Sequence, residues 1–219
     1  MKDRPLSREF PSLLDYVGFV AGGLFLFALH IHYRDWRILF AIGGFLLAAL
    51  SIVHFIFAHP SSAASAFGFA PFSKKIPVFL LLSCAIGVAF GILYRFYYAQ
   101  SVFPNTFYRF ARVACLVGAT EELIYRGFVQ GVMRPAGESG AVILASLFHT
   151  AYKCALFITF PLPEGINLYF LAVATFFAGT VLGGLRQCSG SVFPAMAAHA
   201  FFDLIVYGDY FHAPWWIWS

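Results

Sequence analysis

Three long apolar stretches fill most of the first half of the sequence, at residues 13–33, 38–58 and 77–98. Each can cross the hydrocarbon core of a bilayer as an α-helix, which needs about 20 residues. Backbone polar groups in lipid must be hydrogen-bonded within the spanning structure, and long apolar segments achieve this as helices. The sequence therefore predicts an all-α fold, a polytopic transmembrane helix bundle.

Composition supports a membrane location. Of the 219 residues, 61% are hydrophobic, 20% are aromatic and only 11% are charged. A single soluble domain of this length cannot bury so much apolar surface, so much of it must face lipid. The net charge of +4 comes from singly scattered basic residues, which favour membrane-flanking anchors over a nucleic-acid surface. The lipid bilayer is an expected partner, and nucleic acid is not.

The second half of the chain is predicted to add further helices, for a total of about seven spans, with eight as the alternative. Their approximate positions are residues 104–133, 141–160, 166–185 and a last helix after Ser191, the candidate N-cap. Residues 59–76 are expected to be a polar connection. Glycine pairs four residues apart, typical of closely packed helices, occur at Gly87 and Gly91 and at Gly179 and Gly183.

Three regions follow from this pattern. Residues 1–105 hold the N-terminal spans and no recognisable motif, whereas residues 106–210 hold the polar motifs described below. Residues 211–219 are expected to form an aromatic interfacial tail, because they contain three tryptophans.

The sequence Ala-Thr-Glu-Glu-Leu-Ile-Tyr-Arg-Gly-Phe at residues 119–128 concentrates three charges within an apolar region. On a helix, Glu122 and Arg126 lie on one face at i and i+4, whereas Glu121 lies roughly 140° away from Arg126. Glu122 is therefore the expected ion-pair partner of Arg126. Glu121 has no cation on its own helix, and an unpaired carboxylate in an apolar site is suited to act as a general base.

Few other ionisable residues remain within the later spans. Such residues are costly in lipid, so they are expected to face one another or a water-filled cavity. Glu121 and His149 could bind and deprotonate a water molecule, whereas His199 and Asp203, at i and i+4, could stabilise an oxyanion. The full set is Glu121, Glu122, Arg126, His149, Lys153, His199 and Asp203.

These residues resemble the three motifs of the CPBP family, which comprises CAAX prenyl endopeptidases and bacteriocin-processing enzymes, also called Abi proteins. The motifs are Glu-Glu-x-x-x-Arg, a His on the next helix and His-x-x-x-Asp on a later one, and the likeness covers about residues 106–210. The resemblance implies an intramembrane glutamic protease in which Glu121 is the base and works with His149. It also implies that Glu122 and Arg126 support the site and that His199 and Asp203 bind the oxyanion.

Two positions depart from the family pattern. Ala145 stands where the second motif usually has Phe, and Asp203 stands where the third commonly has Asn, for which Asp is the family's accepted alternative. An ionised Asp203 would repel an oxyanion, so this residue must be protonated or must act by orienting His199.

The resemblance implies a membrane-anchored or lipidated peptide or protein substrate, and no cofactor or metal. The protein is expected to be a multi-pass protein of a prokaryotic cell membrane. A zinc metalloprotease is an alternative, although no HExxH sequence is present. A rhomboid-like serine protease would leave Glu121 and Arg126 unexplained. A non-catalytic membrane adaptor or immunity-type protein and a transporter are the alternatives from other classes.

Overall fold

A computed structural model describes residues 10–69, 75–158 and 167–212, and within these ranges the chain forms helices and no β-strand. The first part contains α1 (Phe10–Leu29), a 3₁₀ turn (Arg34–Trp36), α2 (Arg37–Ala58), α3 (Pro60–Phe67) and α4 (Ile76–Tyr97). The second part contains α5 (Arg109–Glu122), a π-helix (Leu123–Val129), α6 (Gln130–Val132), a 3₁₀ turn (Arg134–Ala136), α7 (Glu138–Ala155), α8 (Leu168–Ser189) and α9 (Phe193–Tyr207).

Four of these helices, α1, α2, α4 and α8, are long and apolar enough to cross a membrane. Large apolar side chains on their outer faces are strongly exposed, among them Phe57 at 80% and Leu81 at 77%. Lipid contact explains this exposure, because water would disfavour so wide an apolar surface. The all-α membrane fold is thus supported, whereas the total of about seven spans stays a prediction.

Helix pairs α1–α2, α4–α9, α5–α9 and α7–α8 make the most extensive contacts. Glycine permits the closest approaches, as the four-residue spacing predicted. A Cβ atom on Gly87 would collide with the backbone carbonyl of Ala198, so α4 lies directly on α9. A Cβ atom on Gly179 would lie 2.5 Å from Nη2 of Arg126, so α8 reaches the charged motif itself.

The expectation of a polar connection at residues 59–76 is wrong for its first half, which forms α3. Pro60 begins this helix, and Gly68, with a left-handed backbone (φ 76°), ends it. Phe67 is buried, and its ring lies 5.6 Å from that of Phe128 in the π-helix. Helix α3 is rich in Ala and Ser and therefore lacks the long apolar run that predicts a membrane helix. These small side chains allow α3 to pack closely against the π-helix.

Two of the scattered basic residues that were expected to be membrane-flanking anchors, Arg95 and Arg186, are buried instead. Arg95 is 2% exposed and forms an ion pair of 2.8 Å with Asp209, beyond the end of α9. Arg186 is 1% exposed and donates to the backbone carbonyls of Arg126 at 3.1 Å and Ala66 at 3.0 Å. Each arginine therefore joins helices, and Arg186 connects α8 to both α3 and the π-helix.

The last helix begins at Phe193, so Val192 rather than Ser191 occupies the capping position. The Ser191 hydroxyl still accepts a hydrogen bond from the Phe193 N–H at 3.4 Å. The tryptophans of the expected tail lie outside the described residues, as does the predicted helix break at 161–165. The proposed division of the chain near residue 105 stays a prediction.

Candidate active site

Four helical elements bring the predicted site residues together. Glu121 and Glu122 end α5, and the π-helix that follows carries Arg126. His149 comes from α7, and α9 supplies both His199 and Asp203. A π-helical segment often marks a functional site, because the wider turn redirects the side chains around it.

Glu122 links two elements from a fully buried position. Its Oε2 lies 3.1 Å from Nε of Arg126, so the predicted i,i+4 ion pair is present. Its Oε1 accepts a hydrogen bond of 2.8 Å from Nδ1 of His199. Glu122 therefore also orients the His199 ring, a contact that the sequence did not predict.

Arg126 determines the tautomer of His149. Its Nη1 lies 2.6 Å from Nδ1 of His149, and a guanidinium can only donate, so Nδ1 must be the acceptor. The proton of the imidazole is therefore on Nε2, which donates to Oε2 of Glu121 at 3.2 Å. A chain of hydrogen bonds thus runs from Arg126 through His149 to Glu121.

The expectation that Glu121 lacks a cationic partner is wrong, because the partner comes from another helix. Nζ of Lys153 donates to Oε1 of Glu121 over 2.6 Å. Lys153 follows His149 by four residues on α7, so both side chains reach the same carboxylate. Residue spacing within α5 cannot reveal this contact, whereas the His-x-x-x-Lys spacing on α7 places Lys153 on the same face as His149.

Asp203 lies beside His199 without a hydrogen bond between them. Its Oδ2 is 3.8 Å from Nε2 of His199, the same distance that separates Nε2 from Oε2 of Glu121. Gly118 packs against both α9 residues, and a Cβ atom there would lie 2.7 Å from Cδ2 of His199 and would collide with the Asp203 carboxyl group. The free imidazole nitrogen of His199 thus lies between two carboxyl groups.

Aromatic and small residues form the walls behind this cluster. The Tyr125 ring stacks on His149, with 4.5 Å between ring centroids, a contact that was not predicted from the sequence. Ala145, where the family usually has Phe, is completely buried in the apolar cluster that contains Tyr125 and Phe128. This position therefore packs into the core and does not face an open pocket.

The exposed fraction of the site's side chains decreases from Lys153 to Glu122. The side chain of Lys153 is 25% exposed and that of His199 is 12% exposed, whereas that of Glu122 is 1% exposed. The approach thus lies on the side of Lys153 and His199. In the described part of the chain, no three His, Cys, Asp or Glu side chains are placed to share a metal ion.

Comparison with known proteins agrees with the motifs. A family model described as "Type II CAAX prenyl endopeptidase Rce1-like" matches residues 103–205. This region is an Rce1-like domain. The match includes every residue of the cluster and confirms the likeness to CAAX endopeptidases, although it covers slightly less than half of the chain. No curated protein and no solved structure matches.

Proposed function

We propose that this protein is an intramembrane glutamic endopeptidase that cleaves a membrane-anchored or lipidated peptide or protein. The match to the Rce1-like family model supports proteolysis, and the apolar helices support a membrane location. The contact between Glu121 and His149, 3.2 Å long and buried among α5, α7 and α9, carries the proposal of a glutamic mechanism.

Glu121 acts as the general base in this proposal. A water molecule beside its Oε2 gives a proton to the carboxylate as its oxygen attacks the peptide carbonyl carbon. The carbonyl π bond opens, and its electron pair forms the oxyanion. When the intermediate collapses, the C–N bond breaks and Glu121 returns the proton to the departing amine. Water is thereby divided between the two products, and the enzyme is unchanged.

His199 and Asp203 stabilise the oxyanion in this scheme. Nδ1 of His199 donates to Glu122, so donation from Nε2 requires the imidazolium form. Asp203 must carry a proton to donate as well. Both groups lie on α9, and Nε2 of His199 is 3.8 Å from Oε2 of Glu121, so a carbonyl that reaches these groups would have the base and the donors beside it.

Arg126 and Glu122 support this arrangement. Arg126 is 1% exposed and contacts both Glu122 and His149, so it acts on the reaction through the residues that it positions. A purely structural role for the motif would require this pair but would give no reason for placing a second acid, Glu121, against His149.

The location of the site favours an anchored substrate. Binding energy from a lipid or transmembrane anchor would raise the local concentration of the peptide and orient its scissile bond. We therefore expect kcat/KM for one cleavage sequence to be much higher with a prenyl, acyl or transmembrane anchor than without it. Equal values would remove the proposed requirement for an anchor.

The decisive test is Glu121→Gln, assayed in proteoliposomes with an anchored peptide. The variant should insert and fold normally but lose cleavage, because an amide cannot accept the proton. Glu138→Gln is the matched control, since Glu138 is an exposed carboxylate in the first turn of α7. Normal cleavage by Glu121→Gln would overturn the glutamic mechanism, whereas no cleavage by the unchanged protein would support a non-catalytic adaptor.

The zinc alternative is tested in the same assay with a chelator. The ammonium group of Lys153, 2.6 Å from Glu121, disfavours a divalent cation on that carboxylate. We expect cleavage to persist in the chelator, whereas a metalloprotease would be inactivated.

A further inference from the structure

Lys153 makes a contact that the motifs of the site do not include. It lies one turn after His149 on α7, and its Nζ is 2.6 Å from Oε1 of Glu121. We propose that Lys153 is a positioning residue that fixes the Glu121 carboxylate so that Oε2 faces His149 and the substrate. This assignment rests on the proposed function, in which Glu121 is the base.

The two oxygens of Glu121 have different surroundings. Oε1 is bound by Lys153, whereas Oε2 lies 3.2 Å from His149 and 3.8 Å from His199. The plane of a carboxylate turns readily about its last bond, which changes the direction of both oxygens. An ammonium group attached to one oxygen restricts this rotation, so the other oxygen remains directed at the imidazoles.

Lys153 also compensates the negative charge of the Glu121 carboxylate. Arg126 contacts Glu122 and His149. Glu121 is 7% exposed, and among the lysines and arginines that the structure describes, Lys153 is the one that forms an ion pair with it. Without that ammonium, Glu121 would face two other carboxyl groups in an apolar site. The ionisable groups around Glu121 are Glu122 on α5, Arg126 and Tyr125 on the π-helix, His149, Tyr152 and Lys153 on α7, and His199 and Asp203 on α9.

The partial exposure of Lys153 agrees with a role at the entrance of the site. Its side chain is 25% exposed, although its ammonium group binds a buried carboxylate. Lysine suits this position, because its long flexible stem can remain packed while the charged group reaches its partner.

The test compares Lys153→Met and Lys153→Arg with the unchanged protein and with Lys75→Met, an exposed lysine at the start of α4. Methionine keeps the length of the side chain but removes the charge. We expect Lys153→Met to lower kcat about 10- to 100-fold, the range for losing a hydrogen bond to a charged group, with little change in KM. Arginine should restore part of the rate.

The pH profile distinguishes positioning from simple structural support. In Lys153→Met the acidic limb of kcat/KM should move to higher pH, because the base loses its positive neighbour. Lys153→Arg should keep the original limb. A variant that is merely less stable would lose rate at every pH, with the limbs in place.

Carbodiimide labelling gives a measurement that does not depend on activity. Dicyclohexylcarbodiimide modifies protonated carboxyl groups in apolar sites, and mass spectrometry can locate the modified residue. Lys153→Met should label Glu121 several-fold faster, whereas Lys153→Arg should label as slowly as the unchanged protein. Glu138 is the internal control, because this exposed carboxylate should remain unlabelled in every variant.

The outcomes separate the two proposals. Normal cleavage and normal labelling in Lys153→Met, combined with an inactive Glu121→Gln, would overturn the role of Lys153 and leave the glutamic mechanism intact. Normal cleavage by Glu121→Gln would overturn the proposed function and, with it, any catalytic positioning by Lys153.

Discussion

Nη1 of Arg126 donates a hydrogen bond of 2.6 Å to Nδ1 of His149, and this contact directs the other imidazole N–H at Glu121. Arg126 also lies 3.1 Å from Glu122. One guanidinium group on the π-helix thus connects the two acids that precede it, one directly and the other through an imidazole.

The first prediction separates the charge of Arg126 from its geometry. Arg126→Ala leaves the buried Glu122 with His199 but without its guanidinium partner, and should lower the free energy of unfolding by about 3–5 kcal/mol. Arg126→Lys keeps a charge but lacks the planar set of donors, so it should retain more stability while losing activity. Thermal unfolding in detergent and an anchored-peptide assay measure the two effects.

The control for this prediction is Arg112→Ala, because Arg112 is exposed on α5. Full activity in Arg126→Lys would show that the tautomer of His149 does not depend on the guanidinium group.

The second prediction concerns the close packing of α5 on α9. In Gly118→Ala, the new methyl group would push against the Asp203 carboxyl group and the His199 ring. Overpacking of this kind costs about 1–3 kcal/mol, and here it would displace both proposed oxyanion donors. We expect a loss of kcat larger than the loss of thermal stability suggests.

The matched substitution is Gly184→Ala on α8, where a Cβ atom would meet nothing within 4 Å. It should leave activity unchanged and stabilise the helix slightly. Equal behaviour of the two variants would contradict the tight contact at Gly118.

The third prediction tests the proposed oxyanion donors. His199→Ala should lower the rate about 100- to 1000-fold, the usual effect of removing one such donor. Asp203→Asn should be tolerated, because an amide N–H can donate in place of a protonated carboxyl group. Single-turnover cleavage of an anchored peptide gives the rates, and an Asp203→Asn variant as inactive as His199→Ala would revive the metal alternative.

The fourth prediction concerns pH and the ion pair between Arg95 and Asp209. Burial raises the pKa of Asp209, but the Arg95 guanidinium and the N–H groups of Thr106 and Asn105 outweigh it, so the pKa lies below the ordinary value of 3.8. A lowered folded-state pKa stabilises the fold fully above the ordinary value and loses this effect as the pH falls through the folded value.

Accordingly, Asp209→Asn should lower the unfolding temperature at neutral pH, and the difference from the unchanged protein should shrink in strong acid. The control is Asp35→Asn, at an exposed aspartate in the first 3₁₀ turn. A constant difference at all pH values would mean that the charge of Asp209 does not stabilise the fold.

The sequence predicted the elements that depend on local pattern. Apolar runs located α2 and α4 to within one residue of each end, and the i,i+4 spacing predicted the contact between Glu122 and Arg126. The scarcity of ionisable residues in the later spans also identified the side chains that α5, α7 and α9 bring together. Hydropathy and spacing are properties of a single segment, so a sequence can reveal them.

Contacts between distant segments could not be predicted in this way. Arg95 and Arg186 looked like boundary residues, because a charge in the sequence does not show which backbone carbonyls will surround it. The pairing of Lys153 with Glu121 joins residues 32 positions apart, and its existence depends on how α7 packs beside α5.

The π-helix at Leu123–Val129 makes the number of residues in this segment as important as their identity. Gly131, just after the π-helix, packs on the backbone of Ala66. Each residue turns a helix by about 100°, so deleting one residue of the segment would rotate Glu121 and Glu122 relative to this contact. Among related chains, the segment should therefore tolerate exchange of its outward side chains more readily than any insertion or deletion.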